Sequence, residues 1–282
     1  MNADYMLDEV RSNIDETTAE HWTDAEIMRK INAAQRKYAM RLSLQPGNWL
    51  ITSSAVTPSD GVITLPTDCA KPLYIEETSS GTPIYFKTTV QDRRSSRSFG
   101  ATLDWDISSK EAYLQMDAVV VNEDSYATAC TLWYQIRVPD LLVGTGAAGS
   151  GSNVIIVPTT SYPERVNDYY NNSYLEVTAG TGVGTRAAIS DYVASTRAIT
   201  VAGTFGTDSE FGTISRLPEE VHPLIVLDAT CTALAKSSAK IDDKVYQEFK
   251  EEKADYWRTF LDWASSRVPG AGRHTRITNP YE

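Results

Sequence analysis

Apolar residues recur every three or four positions at both ends of the chain and every second position in between. This pattern predicts helices near the termini and strands in the middle. Met6, Leu7, Val10 and Ile14 predict a short amphipathic helix over Asp4–Ile14. A second start signal follows at Thr23-Asp24-Ala25-Glu26. There the Thr hydroxyl accepts the amide three residues on, the Glu reaches back to the Thr amide, and Trp22 and Ile27 occupy the staple positions. Ile27, Ile31, Ala34, Tyr38 and Leu42 line one face of this helix. Arg29, Lys30, Gln35, Arg36 and Arg41 are expected on the other, and Pro46-Gly47 to end it. Near the far end, Pro218 and Pro223 open a third helix, with Pro223 favoured as its first residue. Leu224 to Ala239 is apolar over most of its circumference, as a central buried helix should be. Asp242 or Asp243 caps a fourth helix, which stops before Pro269-Gly270. Its stripe is Tyr246, Phe249, Tyr256, Trp257, Phe260 and Trp263.

Between these helices the period is two. Val62 to Pro66 alternates after an Asp60-Gly61 turn. Leu73–Glu76 and Thr82–Phe86 flank Ser80-Gly81 as a hairpin. Tyr113–Met116 and Ala129–Val138 are further strands. The run G-T-G-A-A-G-S-G-S over 144–152 has the composition of a flexible linker. After it, Val154–Val157, Tyr174–Val177, Ala187–Ile189, Ala198–Val201 and Thr213-Ile214 predict a turn-dense β module.

Helices so distant in sequence have no local partner large enough to cover their apolar faces, so they are expected to pack on one another. The predicted fold is therefore α+β. Residues 1–48 and 217–267 make a four-helix hub, 49–143 a β-strand unit, 144–152 a linker and 153–216 an inserted β module. Packing of the hub, or of neighbouring hubs, is expected from Ile27, Ile31, Tyr38, Leu227, Phe249, Trp257 and Phe260. Residues 268–282 have no amphipathic period and carry Arg273, His274, Arg276 and Tyr281. They read as an extended arm that folds onto a partner, or as a frayed terminus.

The net charge of −11 argues against gripping duplex DNA, which takes clustered Lys and Arg. An acidic wall instead lets DNA pass without sticking. No apolar run approaches the ~20 residues that span a bilayer, and the acidic start of the chain is unlike a signal peptide. Cys69, Cys130 and Cys231 are odd in number, widely spaced and read as buried thiols. His21, His222 and His274 are isolated, so no metal or cofactor is expected. Gly180 to Gly184, G-T-G-V-G, has strands predicted on both sides and reads as a turn, not a phosphate loop. Asp104/Asp106 and Glu123/Asp124 read as solvated loop acids, and nothing suggests an enzyme.

Four segments resemble the head–tail connector adaptor proteins of tailed bacteriophages. They are W-T-D-A-E-I-M-R-K-I-N-A-A-Q-R (Trp22 to Arg36), G-V-I-T-L-P-T-D-C (Gly61 to Cys69), T-L-W-Y-Q-I-R-V-P-D-L-L (Thr131 to Leu142) and L-P-E-E-V-H-P-L-I-V-L-D-A (Leu217 to Ala229). Asp168 to Arg186 is similar to a β module found in many phage structural proteins. The resemblance implies a ring of about twelve copies stacked below the portal protein, closed by a head-to-tail interface. It also implies a lumen for double-stranded DNA, a tail-side neck or tail tube partner, and a C-terminal arm that docks on the portal. The location implied is the virion neck, after assembly in the host bacterial cytoplasm. The alternative is a tail or baseplate protein whose β module binds host surface carbohydrate. Tyr162, Tyr169, Tyr170, Tyr174 and Tyr192 are its candidate contacts, although all six Trp lie outside the module.

Overall fold

The computed structural model describes residues 1–16, 21–45, 49–87, 111–115, 118–121, 127–236 and 243–266. The protein is α+β, with four α-helices and two antiparallel-rich sheets among the described residues. It divides into two compact units, one of residues 1–49 and 138–282, the other of residues 50–137. The stops expected at Pro46-Gly47 and Pro269-Gly270, the acid pairs Asp104/Asp106 and Glu123/Asp124, and the arm 268–282 lie outside the described residues.

In the first unit, α1 spans Ala3–Asn13 and α2 spans Asp24–Ser43. The Asn2 side chain caps α1 by accepting from the Tyr5 amide. The capping box of α2 forms as read, with Thr23 and Glu26 each satisfying the other's free amide. A 3₁₀ turn over Glu219–Val221 leads into α3, His222–Lys236, so Pro223 sits in the first turn and Pro218 precedes the 3₁₀ turn. The last helix, α4, is Asp243–Ser266. Both N-terminal helices contact α3, and α4 packs on it as well. Ile27, Ile31, Leu224, Ile225 and Phe260 are buried there.

The same unit holds six strands: β8 (Val143–Thr145), β9 (Ser152–Ile156), β10 (Tyr174–Ala179), β11 (Arg186–Val193), β12 (Ala198–Thr204) and β13 (Glu210–Ile214). Their order is β8-β13-β10-β11-β12-β9, with every pairing antiparallel. The two edge strands are consecutive in sequence. The turn between them bonds to both sides of the sheet: Gly146 N–H donates to Ser209 and Ala147 N–H to Ile156, each at 2.8 Å. The sheet is thus drawn into a half-barrel around Ile155, Leu175, Val177, Ile189, Tyr192 and Phe211.

This corrects the linker reading of 144–152. The run supplies the ends of two strands and the turn that ties them. Gly146 is required by close approach, since a Cβ there would collide with the Gly206 carbonyl oxygen. The module is not set apart from the helices either. Asn2 bridges to Ile214 of β13, its side chain donates to Glu176 at 3.0 Å, and Thr178 donates to Asp4 at 2.7 Å. Gly180 to Gly184 lies in the β10–β11 turn, with all three glycines at positive φ and a strand next, so the phosphate-loop geometry is absent.

The second unit is a seven-stranded sheet of order β1-β7-β3-β4-β5-β6-β2. Its strands are β1 (Ile51–Val56), β2 (Val62–Thr64), β3 (Cys69–Glu77), β4 (Pro83–Lys87), β5 (Glu111–Gln115), β6 (Ala118–Val121) and β7 (Cys130–Ile136). The Ser80-Gly81 hairpin pairs β3 with β4, and β4 and β5 run parallel. Ile63, Ile75, Ile84, Val119 and Leu132 form its core. Tyr134 on β7 donates to Asp68 at 2.9 Å, which joins the segments Gly61–Cys69 and Thr131–Leu142.

Candidate functional site

The helical cluster holds a buried ion-pair network and a chain of packed aromatic rings. α3 is apolar nearly all round and carries one acid, Asp228, which is 7% exposed. A lone buried carboxylate must be paired. Lys37 of α2 bonds both of its oxygens at 2.9 Å, and Lys253 of α4 bonds one at 2.9 Å. Burial pushes the Asp228 carboxyl up, but hydrogen bonds from Lys37 and Lys253 outweigh it and hold it below the usual range. One acid thus ties three helices.

Beside it runs a chain of aromatic rings. Tyr38 meets Trp257 at 5.5 Å, Trp257 stacks on Phe260 at 5.6 Å, and Trp49 stacks on Trp263 at 5.2 Å. The Arg41 guanidinium lies 5.1 Å from the Trp257 ring centre. Of the residues expected to pack the hub or ring, Ile27, Ile31, Tyr38, Leu227 and Phe260 are buried within this one chain. They belong to its core. Phe249 and Trp257 are half-buried. Several apolar residues remain outside: Met40 of α2 is 70% exposed, Leu44 just past its end is 79% exposed, and Tyr256, expected in the apolar stripe of α4, is 43% exposed. The portal-arm residues Arg273, His274, Arg276 and Tyr281 lie outside the described residues.

Gln35 overturns another expectation. Placed on the polar face by period, it is fully buried and donates to the Pro139 carbonyl at 2.8 Å. Its neighbour Asn32 exchanges two hydrogen bonds with Leu141. Both amides anchor the segment that leads into β8. A cleft of about 920 Å³ opens beside this anchor. Asp4, Asp8, Asp24, Asp140, Glu164 and Glu210 line it, against Arg11 and Arg29. Arg11 is engaged by Asp24 and by the Trp22 carbonyl. Burial, then the charge of Asp4, raises the Asp8 carboxyl. Burial also raises Asp140, with Arg36 opposing and Glu164 adding. The cleft is an electronegative surface.

Cys69, Cys130 and Cys231 are buried thiols, none of them in a disulfide among the described residues. Burial pushes the Cys69 thiol up to about 11, far from a reactive thiolate. Among the described residues no group of three or more His, Cys, Asp or Glu is placed to hold a metal ion, and no helix is long and apolar enough to cross a membrane. Of the five module tyrosines, Tyr170 and Tyr192 are core, packed edge to face at 4.8 Å, and Tyr169 is half-buried. Tyr162 and Tyr174 are exposed. No protein-family model matches the chain, and no curated protein matches it.

Proposed function

We propose that the chain is a non-enzymatic structural protein of a tailed bacteriophage, a head–tail connector adaptor. On this reading copies close into a ring below the portal protein, join capsid to tail and line the conduit for double-stranded DNA in the virion neck. The observation that carries the reading is the helical cluster. Helices from both ends of the chain share one packed core, tied by Asp228, while the β strands come from the residues between. That arrangement suits a hub with β excursions; on this reading the half-barrel is an insertion packed against the helices, and the seven-stranded sheet meets the tail-side neck or tail tube protein. The electronegative cleft and the net charge of −11 suit a wall that DNA passes without adhering. Exposed Met40, Leu44 and Tyr256 supply apolar surface for a neighbouring copy.

The arm of residues 268–282 is assigned to the portal, with Arg273, His274, Arg276 and Tyr281 as contacts. Deleting these fifteen residues is expected to leave the circular dichroism spectrum and melting of the remainder unchanged and to abolish co-sedimentation with portal complexes. Co-sedimentation that survives the deletion would refute the arm assignment.

A further inference from the structure

One rim of the half-barrel carries a second pocket, which meets the acidic cleft at Tyr162 and Glu164 and is otherwise separate from it. A 3₁₀ turn over Thr159–Ser161 ends at Tyr162, and the segment that follows faces the β11–β12 turn. Between them lies a pocket of about 940 Å³, lined by Tyr162, Glu164, Arg165, Asn167, Ser195 and Arg197 among others.

Three observations set this pocket apart. The first is strain. Tyr162 and Arg197 hold left-handed backbone at φ 50° and 58°, where side chains other than glycine, Asn and Asp are uncommon. Tyr162 closes the 3₁₀ turn and Arg197 ends the β11–β12 turn, and both line this pocket. The second is rigidity. The two core tyrosines clamp residue 164 by its backbone: the Glu164 N–H donates to Tyr170 at 3.1 Å, and Tyr192 donates to the Glu164 carbonyl at 2.6 Å. Asn167 accepts from the Ala194 amide at 2.9 Å, and Arg197 Nε donates to the Val157 carbonyl at 3.0 Å. Both walls are therefore fixed before any ligand arrives, which lowers the entropic cost of binding. The third is presentation. Tyr162 is 76% exposed, an aromatic face turned to solvent on an otherwise pinned loop. Arg165 is exposed and has neither a hydrogen bond nor an ion pair among the described residues.

We propose that this rim binds an acidic saccharide: a sugar face rests on Tyr162, and Arg165 and Arg197 hold the carboxylate of a uronate or sialate unit. A guanidinium fork matches a planar carboxylate in two parallel hydrogen bonds. An exposed tyrosine offers a rigid amphipathic surface at low entropic cost. Glu164, the one carboxylate among the named lining residues, remains available as an acceptor for sugar hydroxyls. The excess of guanidinium over carboxylate is local and runs against a chain of net charge −11.

The test uses the full chain on an array of bacterial surface glycans that includes uronate- and sialate-bearing oligosaccharides and their neutral counterparts, followed by calorimetry on the strongest hit. The proposal expects acidic glycans to be selected. It expects Tyr162→Ala and Arg165→Ala each to weaken binding by about tenfold or more, the loss of one charge-assisted or stacking contact. Both residues are exposed, so both variants should fold. Arg165→Lys should bind in between, and Tyr174→Ala, an exposed tyrosine elsewhere on the sheet, should bind as the parent does. Three results would overturn the proposal: no glycan bound at millimolar concentration, neutral and acidic glycans bound alike, or binding untouched by both alanine variants. A phosphopeptide bound as tightly through the same residues would also overturn it in favour of a general anion site. Failure of the chain to join a portal complex has no bearing on any of these results.

Discussion

Asp228→Ala is expected to lower the stability of the helical cluster by about 2–3 kcal/mol. The variant removes the carboxylate that faces Lys37 and Lys253 and leaves two ammonium groups beside an apolar helix. Breaking a fully buried pair costs more, roughly 3–5 kcal/mol. The lower figure applies here because the Lys37 and Lys253 side chains are 41% and 25% exposed and can swing toward water. Lys37→Met and Lys253→Met should each cost under about 1 kcal/mol, since the remaining lysine still neutralises the acid. The chain has two compact units, so global melting alone would blur the result. Hydrogen exchange of the α3 amides in denaturant reads the cluster directly. Protection of α3 unchanged in Asp228→Ala would show that the triad is not what joins the helices.

The second large effect is a loss of stability in mild acid, traced to His222. Its ring is 2% exposed, between the Met1 amine at 3.0 Å from Nδ1 and the Leu217 carbonyl at 3.1 Å from Nε2. These partners fit the neutral ring, with Nδ1 accepting and Nε2–H donating. Burial first, and then the charge at Met1, lower its pKa from 6.5 to about 4. The unfolded chain therefore takes up a proton that the folded chain refuses over that window. Stability is complete above about pH 6.5 and falls as pH drops toward 4, by about 3 kcal/mol in all. Asp8 and Asp140 work the other way, because carboxyls raised by folding are relieved when protonated. The histidine is isolated by comparing the parent with His222→Gln in urea titrations from pH 7 to pH 4. The variant should be less stable at neutral pH and should show a flatter dependence through the window. Equal slopes in the two proteins would contradict the assignment.

What could be read from sequence was what neighbours along the chain decide. The capping box at Thr23 and Glu26 is a contact between residues three apart, and it forms as read. The Ser80-Gly81 hairpin and the Gly180–Gly184 turn are local in the same way. What escaped depends on partners remote in sequence. Gln35 looks solvated by period, but Pro139 offers it a buried carbonyl. The run 144–152 looks like a linker by composition, yet Gly146 is there for close approach to Gly206 and the run ties the two edges of a sheet. The tyrosines of the β module divide into core and surface only once strand register is known. Asp228 did leave a signal, a single acid in an otherwise apolar helix, which requires a partner even when none can be named. At the rim, sequence pointed to Tyr162 as one of five candidate tyrosines but not to Arg165 or Arg197, because its two walls are some thirty residues apart and meet only through the fold.

Assembly on a portal is read by mass photometry of the purified chain, alone and mixed with portal complex from the same virus. The expected result is a shift to a complex carrying about a dozen copies, the closed ring that a head-to-tail interface makes. A monomer in the absence of portal is compatible with that, since such rings can form on their partner. No association at any salt concentration would contradict the adaptor role and leave the acidic-glycan site as the main lead to function.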